Sequence, residues 1–476
     1  MADQPVYAAY PASKITWDGT TYFLEHSASL SRKRLVVQGN FQGFKGLVSA
    51  DTRQIDCATT AENAKALRDR LPWLKAVPLG LETSAGMGDR LGLATPGHVA
   101  AVTGTGIAPI FAQQSVRENT RTGRRPQEVM DDAMWGVFQA GWQEPWGADA
   151  DHIKQLEDLE TFVAAGYTFF TVDPGDYVDQ TADEAGLSDL KIKAADLPWD
   201  QLKTSQVDLV SAMAGRTFTL EGFPLPFTEE TVLRAAVKYG RAVAHADRMY
   251  QRLVELHAGR QFDFEVSVDE TATPTSVQEH FYIAHELNRL GIRWTSLAPR
   301  FVGRFEKGVD FIGDLDELDR TMGQHAAIMR HFGSYKLSLH SGSDKFSVYP
   351  IAARHTGRLV HLKTAGTSYL EALRVIASED PAFFRKIYEF ARGRYEIDRA
   401  SYHVSGQLEK TPAHPADPEL PALLDQFDAR QVLHVTFGSV LDTFRTALYA
   451  VLNNHESEYY AVIEKHFRKH LDPLRP

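Results

Sequence analysis

The stretch Phe262–Phe281 reads FDFEVSVDETATPTSVQEHF. Phe264, Val266 and Val268 alternate with Asp263, Glu265, Ser267 and Asp269, the period of a strand with one apolar and one acidic face. If such a strand is buried, its carboxylates need cations, hydrogen bonds or a metal. Two further stretches carry polar groups at matching parity. In YKLSLHS, from Tyr335, Ser338 and His340 oppose Leu337 and Leu339. In RLVHLKT, from Arg358, His361 and Lys363 oppose Val360 and Leu362. Apolar sets that pack on outer helices leave the polar sets facing a common interior. Carboxylate plus imidazole is a donor set for a divalent ion such as Zn, Mn, Co or Ni, so Asp269, His340 and His361 are the expected metal ligands. Blander readings stand beside this one. Glu265, four residues before the strand end, could form a buried salt bridge; Asp344 and Lys345 could be a solvated loop pair. A single histidine such as His434 usually reads as a hydrogen-bonded core residue. GADADHIK, Gly147 to Lys154, has the composition of a metal loop but not the spacing of an EF-hand, and reads as a helix-start cap.

The elements that would position these groups recur along the chain. Short apolar strand candidates begin at Asp89, Ile107, Tyr167, Phe262, Ile292, Tyr335, Arg358 and Val432. Most are followed by helical spacing, as in SVQEHFYIAHELNRLG, where Ser276 and Glu279 form a capping box. Gly291 and Gly333 punctuate expected helix ends. Repeated strand–helix units predict parallel pairing and, with eight strands, an α/β fold of the (β/α)8 TIM-like barrel type; a doubly wound open sheet is the alternative. Residues 1–80 read as an N-terminal β-rich extension and residues 81–476 as the barrel. A helical insertion at about 185–258 would lie between strands 3 and 4, and the Pro-rich LEKTPAHPADPELP reads as an ordered loop before the eighth strand.

Composition narrows the function classes. The 476 residues are 43% hydrophobic and 24% charged, with net charge −11, which disfavours a general nucleic-acid or membrane-surface role. One cysteine, Cys57, permits no intrachain disulfide and no Cys-based zinc site, and fits a reducing cytoplasmic setting. No secretory signal is read at the start, and the longest uncharged stretch, broken by Gly, Pro and Thr, reads as two short strands and a loop. Phosphate-loop, dinucleotide and serine-elbow motifs are absent from the sequence.

FEVSVDETATPT, TSLAPRFVGRFEKGVDFIGD, KLSLHSGSDKFSVYP and HLKTAGTSYLEALRVIA resemble the tagaturonate epimerase family. GMGDRLGLATPGH and QQSVRENTRTGRRPQEVMDDAMWG extend the resemblance upstream, over roughly residues 80 to 450. It implies a metal-dependent isomerase that interconverts D-tagaturonate and D-fructuronate, with D-tagatose and D-fructose as the neutral counterparts. The inverted carbon lies β to the ketone, so its hydrogen is not acidified directly. Retro-aldol cleavage and re-addition is one route; moving the carbonyl before proton exchange, or transient oxidation, are others, the last weakened by the missing nucleotide motif. In this scheme Asp173 and Glu270 are acid/base candidates. Arg90, Gln114, Arg300, Ser341, Lys345 and Lys363 would hold the sugar or sugar acid, with Lys345 and Arg300 the first choices for a uronate carboxylate. A barrel aldolase or ketose isomerase, and a catalytically silent sugar-binding protein, share the local features.

Overall fold

The computed structural model describes residues 6–27, 30, 32–49 and 53–475. Eight parallel strands close on themselves. They are β1 (Ser84–Gly86), β2 (Ala108–Ser115), β3 (Gly147–Ile153), β4 (Phe169–Val172), β5 (Asp263–Ser267), β6 (Ser296–Ala298), β7 (Lys336–Leu339) and β8 (Val360–Lys363). β8 returns to β1 through His361↔Ser84 and Lys363↔Gly86, so the sheet has no edge. The barrel is therefore closed rather than an open doubly wound sheet.

The outer helices follow from sequence. Val277–Arg289 starts at the Ser276–Glu279 capping box and buries Phe281, Ile283 and Leu287. Gly291 and Gly333, just past two helix ends, adopt φ of 74° and 95°, a region L-residues avoid. Apolar residues on β5, Phe264 and Val266, pack outward while Asp263, Glu265 and Ser267 are buried on the other face.

Three expectations about elements need correction. DRLGLAT is not a strand; Asp89 caps a turn there, accepting from the backbone N–H of Leu91, Gly92 and Ala94. The first barrel strand is the upstream Ser84–Gly86, three small residues too short to show a period. GADADHIK is not a cap but β3. VLHVTFG is not a strand but part of the helix Phe427–Val435 and the start of Phe437–Asn454; a short apolar run fits either period. The insertion occupies the expected residues but lies between β4 and β5, because β3 displaces the count. It holds helices Leu187–Ala195, Trp199–Leu202 and Gln206–Met213, a hairpin of Thr217–Leu220 with Phe223–Pro226, and the long helix Glu229–His257. The Pro-rich loop carries 3-10 turns at Leu408–Lys410 and Asp417–Leu424.

The N-terminal region is β-rich, a six-stranded antiparallel sheet in which Thr20–Ser27 pairs with Arg32–Gln38. The longest uncharged stretch forms the helix Thr95–Val102 and β2, not two strands. Among the described residues no helix is long and apolar enough to cross a membrane.

Candidate active site

The C-terminal ends of the barrel strands converge on one polar centre, and a bulge in β3 shapes it. β4 pairs with β3 as Phe169↔Asp149 and Phe170↔Ala150, but Val172 faces Ile153, so β3 carries one extra residue. His152 absorbs it at φ 49°, a left-handed conformation rare for residues other than glycine. Regular alternation would send Asp151 and His152 to opposite faces. The bulge brings both to the barrel mouth, where the His152 ring centroid lies 4.1 Å from that of His340.

Beneath the mouth, Lys363 joins three carboxylates: Asp151 at 2.7 Å, Asp149 at 2.9 Å and Glu265 at 3.1 Å. It also donates to Thr171. Burial alone would discharge this lysine, but the three carboxylates outweigh burial and raise its pKa. Burial likewise opposes ionisation of Glu265, yet Lys363, then the nearby histidines, holds it well below the ordinary carboxylate range. Glu265 is thus the expected buried ion-pair partner and also part of the polar centre.

His340 stands above this layer. Its Nε2 is 3.1 Å from Asp151, and its Nδ1 is 3.5 Å from Glu265 and 3.9 Å from Asp269. Neither nitrogen makes a hydrogen bond of acceptable geometry. Burial disfavours the imidazolium, but Asp269 and Asp151 overcome it and raise the pKa to about 10. Surroundings that hold a proton this firmly would also hold a divalent cation in its place. The donor chemistry fits such an ion. Asp151, His152 and His340 offer ligand atoms within 4.8 Å of one another, as do His152, Asp173 and Glu270. A third group, Asp344, His466 and His470, lies elsewhere; there Arg430 is 3.0 Å from Asp344, and the His470 Nε2 accepts the Asp344 backbone N–H, so it reads as a structural ion network.

The expected site residues divide. Asp269 and His340 meet, and the Asp269 carboxylate accepts from Ser267 and Ser341. His361 does not join them. It lies a layer lower, its Nδ1 2.9 Å from Ser84 and its Nε2 3.7 Å from Asp149. Asp173 and Glu270 flank His152, at 3.2 and 3.9 Å. Asp173 is opposed by burial but held low by His152, then Lys154 and the Gly175 N–H. Glu270 faces a cavity of about 600 Å³ that Arg300 and Ser341 also line. Arg300 donates to the Thr271 carbonyl. Lys345 is turned away: it is buried and donates to the carbonyls of Glu306, Val309 and Ser343. Gln114 lines neither cavity at the mouth; alternation on β2 instead aims Gln113 inward, toward Asp151. Arg90 lines a smaller, adjoining cavity, as does Lys363. Asp344 is not solvated but paired with Arg430 and His466.

Sequence reasoning missed Asp151, His152, Arg117 and Lys307. Lys307 donates to Ser341 at 3.0 Å, and Arg117 lies 3.6 Å from Glu270. Both line the two cavities. The acid-plus-histidine run DADH was the available signal for the first pair; the two cations sit where no strand period predicts a direction.

Known proteins bear on this centre. A family model described as tagaturonate epimerase matches residues 10–474. The tagaturonate/fructuronate epimerase of Thermotoga maritima is 44% identical over 478 residues, covering 98% of this chain and 97% of that protein. Crystal structures of the fructuronate-tagaturonate epimerase UxaE from Cohnella laeviribosi, native and glycerol-complexed, match with a TM-score of 0.93 at 37% identity, covering 98% of this chain and 96% of theirs.

Proposed function

The chain belongs to the tagaturonate epimerase family and is an isomerase of the epimerase class, and from that premise we propose that it inverts C4 of a ketohexuronate, interconverting D-fructuronate and D-tagaturonate. The reading includes a divalent ion held by Asp151, His152 and His340. The observation that carries it is the meeting of these three donors at the barrel mouth, with both His340 nitrogens unsatisfied. Such an ion would act as a Lewis acid on the substrate's ketone oxygen.

The protein's own groups account for the remaining work. Glu270, which lines the larger cavity together with Asp269 and Glu306, takes the proton from the C4 hydroxyl. The C3–C4 bond breaks, its electron pair passing toward the C2 carbonyl, and C4 becomes an aldehyde. That three-carbon fragment turns over and presents its other face; C3 re-adds, and Glu270 returns the proton to the C4 oxygen. Asp173, committed to His152, Lys154 and the Gly175 N–H, orients the imidazole rather than moving protons. Ser341 orients a substrate hydroxyl, and Lys363 keeps Asp151 ionised and in place. A cytoplasmic location fits the single, buried Cys57.

The test is to incubate purified protein with D-fructuronate, with and without a chelator followed by dialysis. D-tagaturonate should form, and formation should stop on chelation and return with added metal. Accumulated three-carbon products, or undiminished turnover after chelation, would refute the reading.

A further inference from the structure

The smaller cavity, about 30 Å³, is lined in part by the proposed metal ligands Asp151, His152 and His340. A water-sized group needs about 10–15 Å³ on this measure, so there is room for about two, the size of a carboxylate's oxygens. Its other walls include Arg90, Glu118, Lys307, Gly366 and His434.

Two wall residues carry unsatisfied polar atoms. His434 is 1% exposed, and neither ring nitrogen has a hydrogen-bond partner. Arg90 is 3% exposed and its Nη1 is likewise unpaired. The rest of the Arg90 guanidinium is fixed. Glu118 takes Nε and Nη2, each at 3.0 Å, and the plane lies 3.7 Å from the Phe437 ring centroid. One edge of the fork is therefore held and the other is free, an arrangement suited to an oxyanion. The space around His434 is also reserved: a Cβ on Gly366 would fall 2.2 Å from His434 Cε1. At His434 the local field is positive, although Glu118 and Asp151 also line the cavity. Burial, then Arg90, Lys307 and Arg430, keeps the His434 pKa well below its ordinary value. Buried, fixed and unpaired donors in a positive field are costly without a ligand and favourable with an anion.

We propose that Arg90, His434 and Lys307 form the subsite for the substrate's terminal carboxylate and set the preference for uronates over neutral ketohexoses. The assignment rests on the uronate reading above. It replaces Lys345, which is engaged by three carbonyls, and places the carboxylate apart from Arg300.

The test compares Arg90→Met and His434→Asn with the wild type. For each, the ratio of kcat/KM for D-fructuronate to that for D-fructose is measured, and binding of glycerate and of glycerol is measured by calorimetry. The ratio should fall by about 30-fold or more, carried by KM, as expected for one or two charge-assisted hydrogen bonds. Wild-type protein should bind glycerate at least about tenfold more tightly than glycerol, and the variants should lose that preference. Equal losses on charged and neutral sugars would overturn the proposal. So would a wild type that does not distinguish glycerate from glycerol, a comparison that holds even if a variant fails to fold. A wild type that epimerises neither uronate would instead refute the reaction, while the glycerate comparison would still report on the subsite.

Discussion

His340 lies among Asp151, Glu265 and Asp269 with no hydrogen bond of its own. Its removal should therefore take away a ligand rather than a structural tie. His340→Ala is expected to lose bound metal and at least about 100-fold in turnover while still folding and melting in one cooperative transition. Elemental analysis beside a melting curve checks this; a metal-replete, active variant would remove His340 from the ligand set. At this scale the strand-face argument read His340 and Lys363 correctly as inward-facing, because Leu337, Leu339, Val360 and Leu362 left no other face for them. It failed for His361 because parity gives direction but not depth, and this ring sits one layer down against Ser84. Lys345, chosen for its place just beyond a strand end, lies in a loop that folds its ammonium back onto carbonyls.

The bulge in β3 is the element on which the site depends. It explains why Gly147–Ile153 was hard to read as a strand: an extra residue breaks the two-residue period, and small residues at Gly147, Ala148 and Ala150 leave little apolar signal. The left-handed φ of His152 is a local strain of about 1 kcal/mol or more. Glycine adopts that conformation freely, so His152→Gly should unfold at a denaturant midpoint equal to or above that of the wild type. Its turnover should nevertheless fall at least about 100-fold, since the imidazole is lost. A variant clearly less stable than the wild type would show that the ring, not the backbone, supports the bulge. The helix over Phe427–Val435 was illegible for a different reason. Leu433, Val435 and Phe437 alternate with His434 and Thr436, and all five are buried, so the run imitates the two-residue period of a strand although it is helical.

Over the whole molecule, the number of strand–helix units and the closing of the barrel were foreseen from alternating patterns, although two of the eight strand candidates were a turn and a helix, and the true β1 and β3 were not read as strands. What pattern could not show was which polar groups the closed barrel would bury. Several histidines are buried far from the site. Burial lowers His98 and His325 to about 4 and His470 to about 3. Unfolded histidine titrates near 6.5, so the unfolded chain binds more protons as pH falls below that value. Their contribution to stability is complete above about pH 6.5 and is lost progressively toward pH 4, at about 1.4 kcal/mol per pH unit for each. Melting temperature should therefore decline steadily from pH 6.5 to 5, before the carboxylates titrate. A flat profile over that range would show that these rings are not held neutral.

The most direct test of the central claim, inversion of C4 by breaking and remaking the C3–C4 bond, is to follow the metal-replete enzyme in D2O by proton NMR as D-fructuronate converts to D-tagaturonate. Cleavage and re-addition never remove the hydrogen on C4, so the product should keep that proton at full intensity from the first turnover. Deuterium appearing at C4 as fast as product forms would contradict the account, because inversion would then proceed through removal of that hydrogen.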